Sequence, residues 1–174
     1  EAMPLSLRFP QRDARTPFVH AYFEWSPHGH EPDGVYTVPH FDFHFYLVPD
    51  ADREAVAAGP DGVEVEARFA PPGYFSTVEA VPAMGVHWID EATPEFNGGA
   101  FGQTFIYGYY QGRLTFLEPM VTLDFLQAND SASFAIKQPQ ALQRRGVYFP
   151  GRYTIAHDAD AGVYHVVLDR MRLH

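Results

Sequence analysis

The chain has 174 residues, about the length of one domain, and 46% of them are apolar, which is enough to fill a single core. The formal net charge of -10 argues against a nucleic-acid partner or an anionic membrane surface, because phosphate groups bind basic patches and no basic cluster here exceeds Arg144-Arg145. No apolar run approaches the roughly 20 residues of a membrane-spanning helix, so we expect no membrane partner.

Cysteine is absent, which excludes disulfides and thiolate metal sites but is compatible with an oxidising or a reducing compartment. No signal peptide is recognisable. Because the sequence starts at Glu1 rather than Met, removal of an export signal stays an open alternative. The sequence therefore leaves exported and cytoplasmic locations equally open.

Fifteen prolines and fourteen glycines divide the sequence into short segments, which favours turns between short strands over long helices. We predict an all-β fold with a single domain over residues 1–174. Its architecture is expected to be a single β-barrel or sandwich of about seven to nine mostly antiparallel strands with one or two short helices. Residues 1–16 are expected to form an N-terminal arm or edge segment.

Two strands are predicted in the first third of the chain, because apolar and other residues alternate with a period of two. In the first, the predicted core face consists of Val19, Ala21, Phe23 and Trp25. In the second, Phe41, Phe43, Phe45 and Leu47 form the apolar side, and the other side carries His40, Asp42, His44 and Tyr46. We expect the apolar side to pack in the core and the other side to be free to bind a ligand.

The middle of the chain predicts a helix over residues 50–58, because it has an acidic start, internal alanines and Gly59 just past its end. Residues 63–68 alternate like a half-exposed strand, and residues 73–83 are typical of a loop. A further strand is predicted over residues 84–90, with His87 opposite Val86 and Trp88.

A hairpin is predicted where residues 103–110 and 113–118 flank the turn Gln111-Gly112. This register pairs Phe105 with Glu118 and puts Glu118 on the same face as Tyr107, Tyr109 and Phe116, an aromatic wall that we interpret as core. A buried carboxylate is costly unless it is paired, protonated or bound to a cation.

The last third predicts a helical turn over residues 122–128, a long polar connection over 129–150, and a hairpin of residues 152–157 with 163–169. The turn of that hairpin, Asp158 to Gly162, carries two aspartates, which are too few for an EF-hand calcium loop. We interpret it as a solvated turn.

Five residues supply donors for a divalent transition metal such as zinc, iron, manganese or copper: His30, His40, His44, His87 and Glu118. On a strand, His40 and His44 lie roughly 13 Å apart at their backbones, a long span for sharing one ion. Three alternatives stay open: the strand bends, each histidine serves a different site, or Asp42 lies between them as an orienting partner. For each histidine, ordinary hydrogen bonding is the competing interpretation.

Histidines and a glutamate in a β-fold resemble cupin metal sites in composition. His28-Gly29-His30 is an HxH pattern, but Glu31 follows at once, whereas cupins place the glutamate several residues later. The chain therefore resembles cupins in the types of its metal ligands and not in their spacing.

Several longer runs carry a second resemblance: HGHEPDGVYTVPHFDFHFY, MGVHWID, QTFIYGYYQGRLTFLEPMVT, IKQP and PGRYTI. In this order they resemble a bacterial β-rich domain family that includes a sigma-factor-regulated protein of thermophiles. The resemblance implies a compact β-rich fold and self-association, and it implies no particular reaction.

Three functions fit these observations. The first is a metal-dependent enzyme acting on a small organic substrate, with His40, His44, His87 and Glu118 as ligands and His30 at the mouth. Its ion polarises the substrate or activates water, while Glu118 or Asp42 moves a proton. The second function is binding of a metal or a small apolar ligand without turnover.

The third function is that of a self-assembling structural stress protein whose histidines only form hydrogen bonds. Because so many aromatic residues favour packing between subunits, we expect a homo-oligomer. There is no Cys, no G-x-S-x-G elbow and no glycine-rich phosphate loop, so serine hydrolysis and phosphoryl transfer are not expected.

Overall fold

The computed structural model describes residues 3–10, 16–60 and 64–174. The described residues contain twelve strands, more than the seven to nine predicted, and the all-β fold is confirmed. The strands are β1 (Met3–Arg8), β2 (His20–Ser26), β3 (His40–Tyr46), β4 (Tyr74–Ser76), β5 (Val86–Asp90), β6 (Gln103–Tyr110), β7 (Arg113–Thr122), β8 (Ser131–Ala135), β9 (Tyr148–Phe149), β10 (Arg152–Asp158), β11 (Val163–Asp169) and β12 (Arg172–Leu173).

Two α-helices are present in these residues, α1 (Asp50–Glu54) and α2 (Leu123–Ala128). Helix α2 confirms the predicted helical turn. The Thr122 hydroxyl caps it by accepting a hydrogen bond from the Phe125 N–H. Helix α1 is shorter than predicted, because the chain leaves the helix at Ala55 and buries Val56 in a small apolar cluster. Neither helix is long and apolar enough to cross a membrane.

Seven strands form one antiparallel sheet in the order β1-β2-β3-β7-β6-β5-β4. Because β1 and β4 are its edges, the sheet is open, and of the two predicted architectures the structure has the sandwich. A second sheet, β11-β10-β8, packs on one face of the first, and β9 pairs with β12. The predicted arm is in part the edge strand β1; residues 1–2 and 11–15 lie outside the described residues.

The core between the two sheets is aromatic. Phe105 and Tyr107 on β6 pack with Tyr153 on β10, and the Phe105 and Tyr153 ring centroids are 5.1 Å apart. The phenylalanines of β3 are half-buried and pack against this cluster from its margin. This confirms the predicted apolar side of β3.

The other face of the large sheet is also buried, which corrects the expectation that it would be free to bind a ligand. His40, Asp42, His44 and Tyr46 are each at most 2% exposed. Tyr36 from the loop after β2 and Phe101 from the loop before β6 pack over this face. The polar side of β3 therefore lies in a closed interior beneath loops.

The β6–β7 hairpin turns at Gln111-Gly112 as predicted, and both residues have positive φ, as a two-residue hairpin turn requires. The predicted register beyond the turn is wrong. Thr115 is an extra residue on β7, and this bulge pairs Ile106 rather than Phe105 with Glu118. Because a one-residue shift exchanges the two faces, Glu118 and Phe116 lie on the loop-covered face, opposite Tyr107 and Tyr109.

Three connections also differ from prediction. Residues 64–68 are not a strand: they lead into a 3-10 turn, Ala67–Phe69, and no described strand pairs with them, while Val63 lies outside the described residues. The predicted loop 73–83 contains β4, and the polar connection 129–150 contains β8 and β9. Strands of two to five residues carry too little alternation to be recognised reliably.

Candidate metal centres

The structure divides the predicted metal ligands into two groups. The first, which we term the His/Asp triad, consists of His30, His40 and Asp42. The second, the His/Glu triad, consists of His44, His87 and Glu118. Within each triad one nitrogen or oxygen atom per residue lies within 4.8 Å of the other two. Both groups are close enough to hold a metal ion.

The expected single set of His40, His44, His87 and Glu118 is therefore not brought together in one place. Strand β3 places His40 and His44 on the same face, four residues apart. Of the alternatives left open by the sequence, separate sites for the two histidines match this geometry. Asp42, for which an orienting role was one of the open alternatives, belongs to the triad of His40.

The His/Asp triad joins a loop to a strand. Asp42 Oδ1 lies 3.1 Å from His40 Nε2 and 3.5 Å from His30 Nε2. The other carboxylate oxygen, Oδ2, accepts a hydrogen bond from the Ser26 hydroxyl at 3.2 Å. The His40 and Asp42 side chains are buried, whereas 45% of the His30 side chain is exposed. This triad therefore has one side open to solvent.

Backbone carbonyls orient both imidazoles of the His/Asp triad. His30 Nδ1 donates to the Glu31 carbonyl and His40 Nδ1 donates to the Val38 carbonyl, each at 2.7 Å. When Nδ1 carries the hydrogen, Nε2 of a neutral imidazole has a free lone pair. When both rings are neutral, two such lone pairs and a carboxylate oxygen face one another here. His40 Nε2 and Asp42 Oδ1 form no well-aligned hydrogen bond with the described residues.

The charges in the His/Asp triad are coupled. Burial alone would raise the pKa of Asp42, but the neighbouring imidazoles of His30 and His40 hold it well below its usual range. Burial pulls the pKa of His30 down, but the Asp42 carboxylate outweighs this effect and the pKa is raised. Asp42 is therefore a carboxylate at neutral pH, and it attracts a proton or a cation to its side of the triad.

The His/Glu triad spans four strands of the large sheet. The pairing of β3 with β7 places His44 opposite Glu118, and His44 Nε2 lies 3.2 Å from Glu118 Oε1. His87 reaches across from β5, and its Nε2 lies 3.5 Å from Glu118 Oε2. Gly108 on the intervening strand β6 lies beside His87, and its missing side chain leaves room for the ring of Phe116. Both oxygens of one carboxylate therefore face an imidazole nitrogen.

The His/Glu triad is closed. The side chains of His44 and Glu118 are 2% exposed and that of His87 is 15% exposed. Burial lowers the pKa of His44 to about 4 and that of His87 to about 3. Burial, reinforced by Asp42 and Glu24, raises the pKa of Glu118 well above its usual value. Without a cation, burial therefore favours the neutral form of all three side chains.

The nitrogen–oxygen distances in both triads are compatible with a shared ion. Two ligand atoms at 2.0–2.1 Å from one ion lie about 2.8 to 3.4 Å apart at octahedral or tetrahedral angles. The nitrogen–oxygen distances in the triads run from 3.1 to 3.5 Å. Each triad offers two nitrogens and one carboxylate, a donor set used by zinc and by non-haem iron.

Two residues of these centres were not predicted from the sequence. Ser26 belongs to no motif in the sequence, and its contact with Asp42 depends on the pairing of β2 with β3. Gly108 lies inside β6, and a glycine within a strand indicates that another group approaches the backbone closely. By contrast, His28 of the HxH pattern is exposed and lies outside both triads.

No protein-family model, curated protein or solved structure matches this chain. The resemblance to the bacterial β-rich domain family and the ligand-level likeness to cupins stay predictions. Evidence for a function therefore comes from the geometry of the two triads.

Proposed function

We propose that this chain is a metal-binding protein and that His44, His87 and Glu118 hold a divalent transition-metal ion. One observation carries the proposal: two imidazole nitrogens face the two oxygens of one carboxylate at 3.2 and 3.5 Å in a closed interior. His44 Nε2 and Glu118 Oε2 form no well-aligned hydrogen bond with the described residues. Buried polar atoms in native proteins are normally satisfied, so an additional partner is expected at this point.

The donor set indicates the kind of ion. Two imidazoles and a carboxylate suit zinc, iron, manganese or copper, whereas calcium and magnesium prefer sites built from oxygen. The chain has no cysteine, so thiolate-bound metal centres do not compete. A divalent ion here would pair with ionised Glu118 and with the free lone pairs of His44 and His87.

The competing explanation is a proton. A protonated Glu118 would donate one hydrogen bond to one imidazole, and its other oxygen could accept one from the second imidazole in its Nε2–H tautomer. We favour a metal ion because neither His44 Nε2 nor Glu118 Oε2 forms a well-aligned hydrogen bond with the described residues. Binding of the ion would displace the proton from Glu118.

A metal-dependent enzyme acting on a small organic substrate is the second candidate, favoured by the exposed side of the His/Asp triad. In that function Asp42 or Glu118 would move a proton. Glu118 suits this role less well, because no side chain of its triad is more than 15% exposed. The alternative of a self-assembling structural or small-ligand-binding protein needs no ion, and the predicted homo-oligomer is compatible with all of these functions.

Metal analysis of protein purified without an affinity tag tests the proposal. Metal-free protein is dialysed against zinc, and bound zinc is measured for the wild type, Glu118→Gln and His87→Ala. We expect each variant to bind one ion fewer per chain while still unfolding cooperatively. His165→Ala, which removes an exposed histidine, is the control and should leave the zinc content unchanged. Equal zinc content in the wild type and both triad variants would contradict the proposal.

A further inference from the structure

We propose that the His/Asp triad is a second, separate metal site, and that its ion keeps a coordination position open for a small anionic or oxygen-donor ligand. This second site is separate from the ion at the His/Glu triad and does not depend on it. Its protein ligands are His30, His40 and Asp42.

Hydrogen bonds hold the three ligands of the His/Asp triad in the orientation that an ion requires. Both imidazoles of the triad are held by hydrogen bonds from Nδ1 to a backbone carbonyl. This arrangement is the usual support of metal-bound histidine, since it fixes the ring and leaves Nε2 for the ion. The Ser26 hydroxyl binds Asp42 Oδ2 and so directs Oδ1 towards the two nitrogens. Each of the three ligands thus has its own support.

The two triads are separate from each other. Asp42 and His44 lie on the same face of β3, two residues and roughly 7 Å apart along the strand. Their side chains turn to different partners, Asp42 to His30 and His40, and His44 to Glu118. One ion with bonds of about 2 Å cannot serve both triads.

The two triads also differ in their access to solvent. Almost half of the His30 side chain is exposed, whereas no ligand of the His/Glu triad is more than 15% exposed. Zinc sites that bind an outside molecule have three protein ligands and leave another position to water or substrate. The His/Asp triad has three protein ligands and a solvent-exposed side. It therefore fits an exchangeable ion that binds a small ligand.

His30 differs from the other two ligands of the triad in that it lies in a loop and not on strand β3. This loop joins β2 to β3 and is anchored by Tyr36, which is 1% exposed and packs on Phe101. Removing the His30 ring takes away its edge contact with Tyr36 but leaves the packing of Tyr36 on Phe101 in place. His28, two residues earlier and exposed, supplies a matched control in the same loop.

The test uses the whole chain loaded with Co²⁺ and titrated with azide, a small anion that binds open metal positions. We expect the cobalt absorption spectrum of the wild type to change with azide. His30→Ala should bind one cobalt fewer per chain and lose the azide response, and Asp42→Asn should do the same. His28→Ala should retain both the cobalt and the response.

Glu118→Gln separates the two proposals. It should lose one cobalt ion but keep the azide response, because the response belongs to the His/Asp triad. An azide response that persists in His30→Ala and Asp42→Asn would overturn the inference. So would a wild type whose spectrum does not change with azide, or an unchanged cobalt content in His30→Ala. None of these results would bear on zinc binding at the His/Glu triad.

Discussion

Gly108 on β6 lies directly beneath the ring of Phe116 on β7, its partner across the hairpin, and a Cβ on Gly108 would overlap that ring. His87 flanks Gly108 on the other side, and its ring centroid is 5.2 Å from that of Phe116. The missing side chain therefore lets Phe116 and His87 share the space above β6. This is the geometric condition for His87 to reach Glu118.

Gly108→Ala should therefore disturb both packing and metal binding. Because the ring of Phe116 cannot stay in place, we expect the free energy of unfolding to fall by about 1–3 kcal/mol. His87 should be displaced as well, and zinc affinity at the His/Glu triad should fall. Urea unfolding and zinc titration measure the two effects. Gly102→Ala, whose Cβ would meet only the Phe125 ring at 3.3 Å, should be milder in both.

Glu118→Gln should have opposite effects with and without metal. The pKa of Glu118 is raised in the fold, so its contribution to stability is present below its unfolded pKa and is lost as pH rises through the folded pKa. At pH 8 the metal-free variant, which has no charge to bury, should be at least as stable as the wild type.

With zinc at 1,000 times its dissociation constant, the wild type should gain about 4 kcal/mol of stability, and the variant should not gain the part due to this site. Thermal unfolding with and without zinc at pH 8 measures both. A wild type and a variant with the same zinc-dependent shift would argue against Glu118 as a ligand.

Acid should destabilise the metal-free protein through His44 and His87. Their pKa values are lowered to about 4 and about 3, so their stability contribution is present above pH 6.5 and is lost as pH falls through the folded values. The contribution of Glu118 changes with pH in the opposite direction, so the test uses the Glu118→Gln variant. In this variant the free energy of unfolding should drop by a few kcal/mol between pH 7 and pH 4.

Urea midpoints across this pH range measure the loss. Adding His87→Gln to the same background should make the stability profile flatter, since one of the two titrating groups is gone. An equally steep profile would show that other groups cause the acid sensitivity.

Ser26→Ala should weaken metal binding at the His/Asp triad without removing a ligand. The Ser26 hydroxyl donates to Asp42 Oδ2 in a buried setting, and losing such a supporting hydrogen bond costs about 10- to 100-fold in metal affinity. Ser26→Thr keeps the hydroxyl and should recover most of the affinity. Cobalt titration measures it. Equal affinities in Ser26→Ala and the wild type would mean that the hydroxyl does not position Asp42.

Local sequence pattern predicts much of this fold. The alternation around His40 to Tyr46 indicates β3, and the turn residues Gln111-Gly112 indicate the β6–β7 hairpin. The bulge at Thr115 is not visible in this pattern, because both faces of β7 carry bulky apolar residues. One extra residue was enough to move Glu118 to the opposite face of the sheet.

The candidate ligands could be identified from the sequence by residue type, but the sequence did not show which of them share a site. Strand spacing correctly indicates that His40 and His44 are too far apart for one ion. The partners of each depend on tertiary structure: His30 comes from a loop, and His87 from a strand two positions away from β7. Burial of the polar side of β3 could not be predicted either, since it depends on loops that carry no regular pattern.

Anomalous scattering from a crystal of the untagged, zinc-loaded chain tests the central claim most directly. Data collected on both sides of the zinc absorption edge locate the ion without any assumption about its ligands. We predict a zinc peak about 2 Å from His44 Nε2, His87 Nε2 and Glu118, and a second peak at the His/Asp triad. A map without a peak between His44, His87 and Glu118 would contradict the claim that this chain holds a metal ion in its sheet.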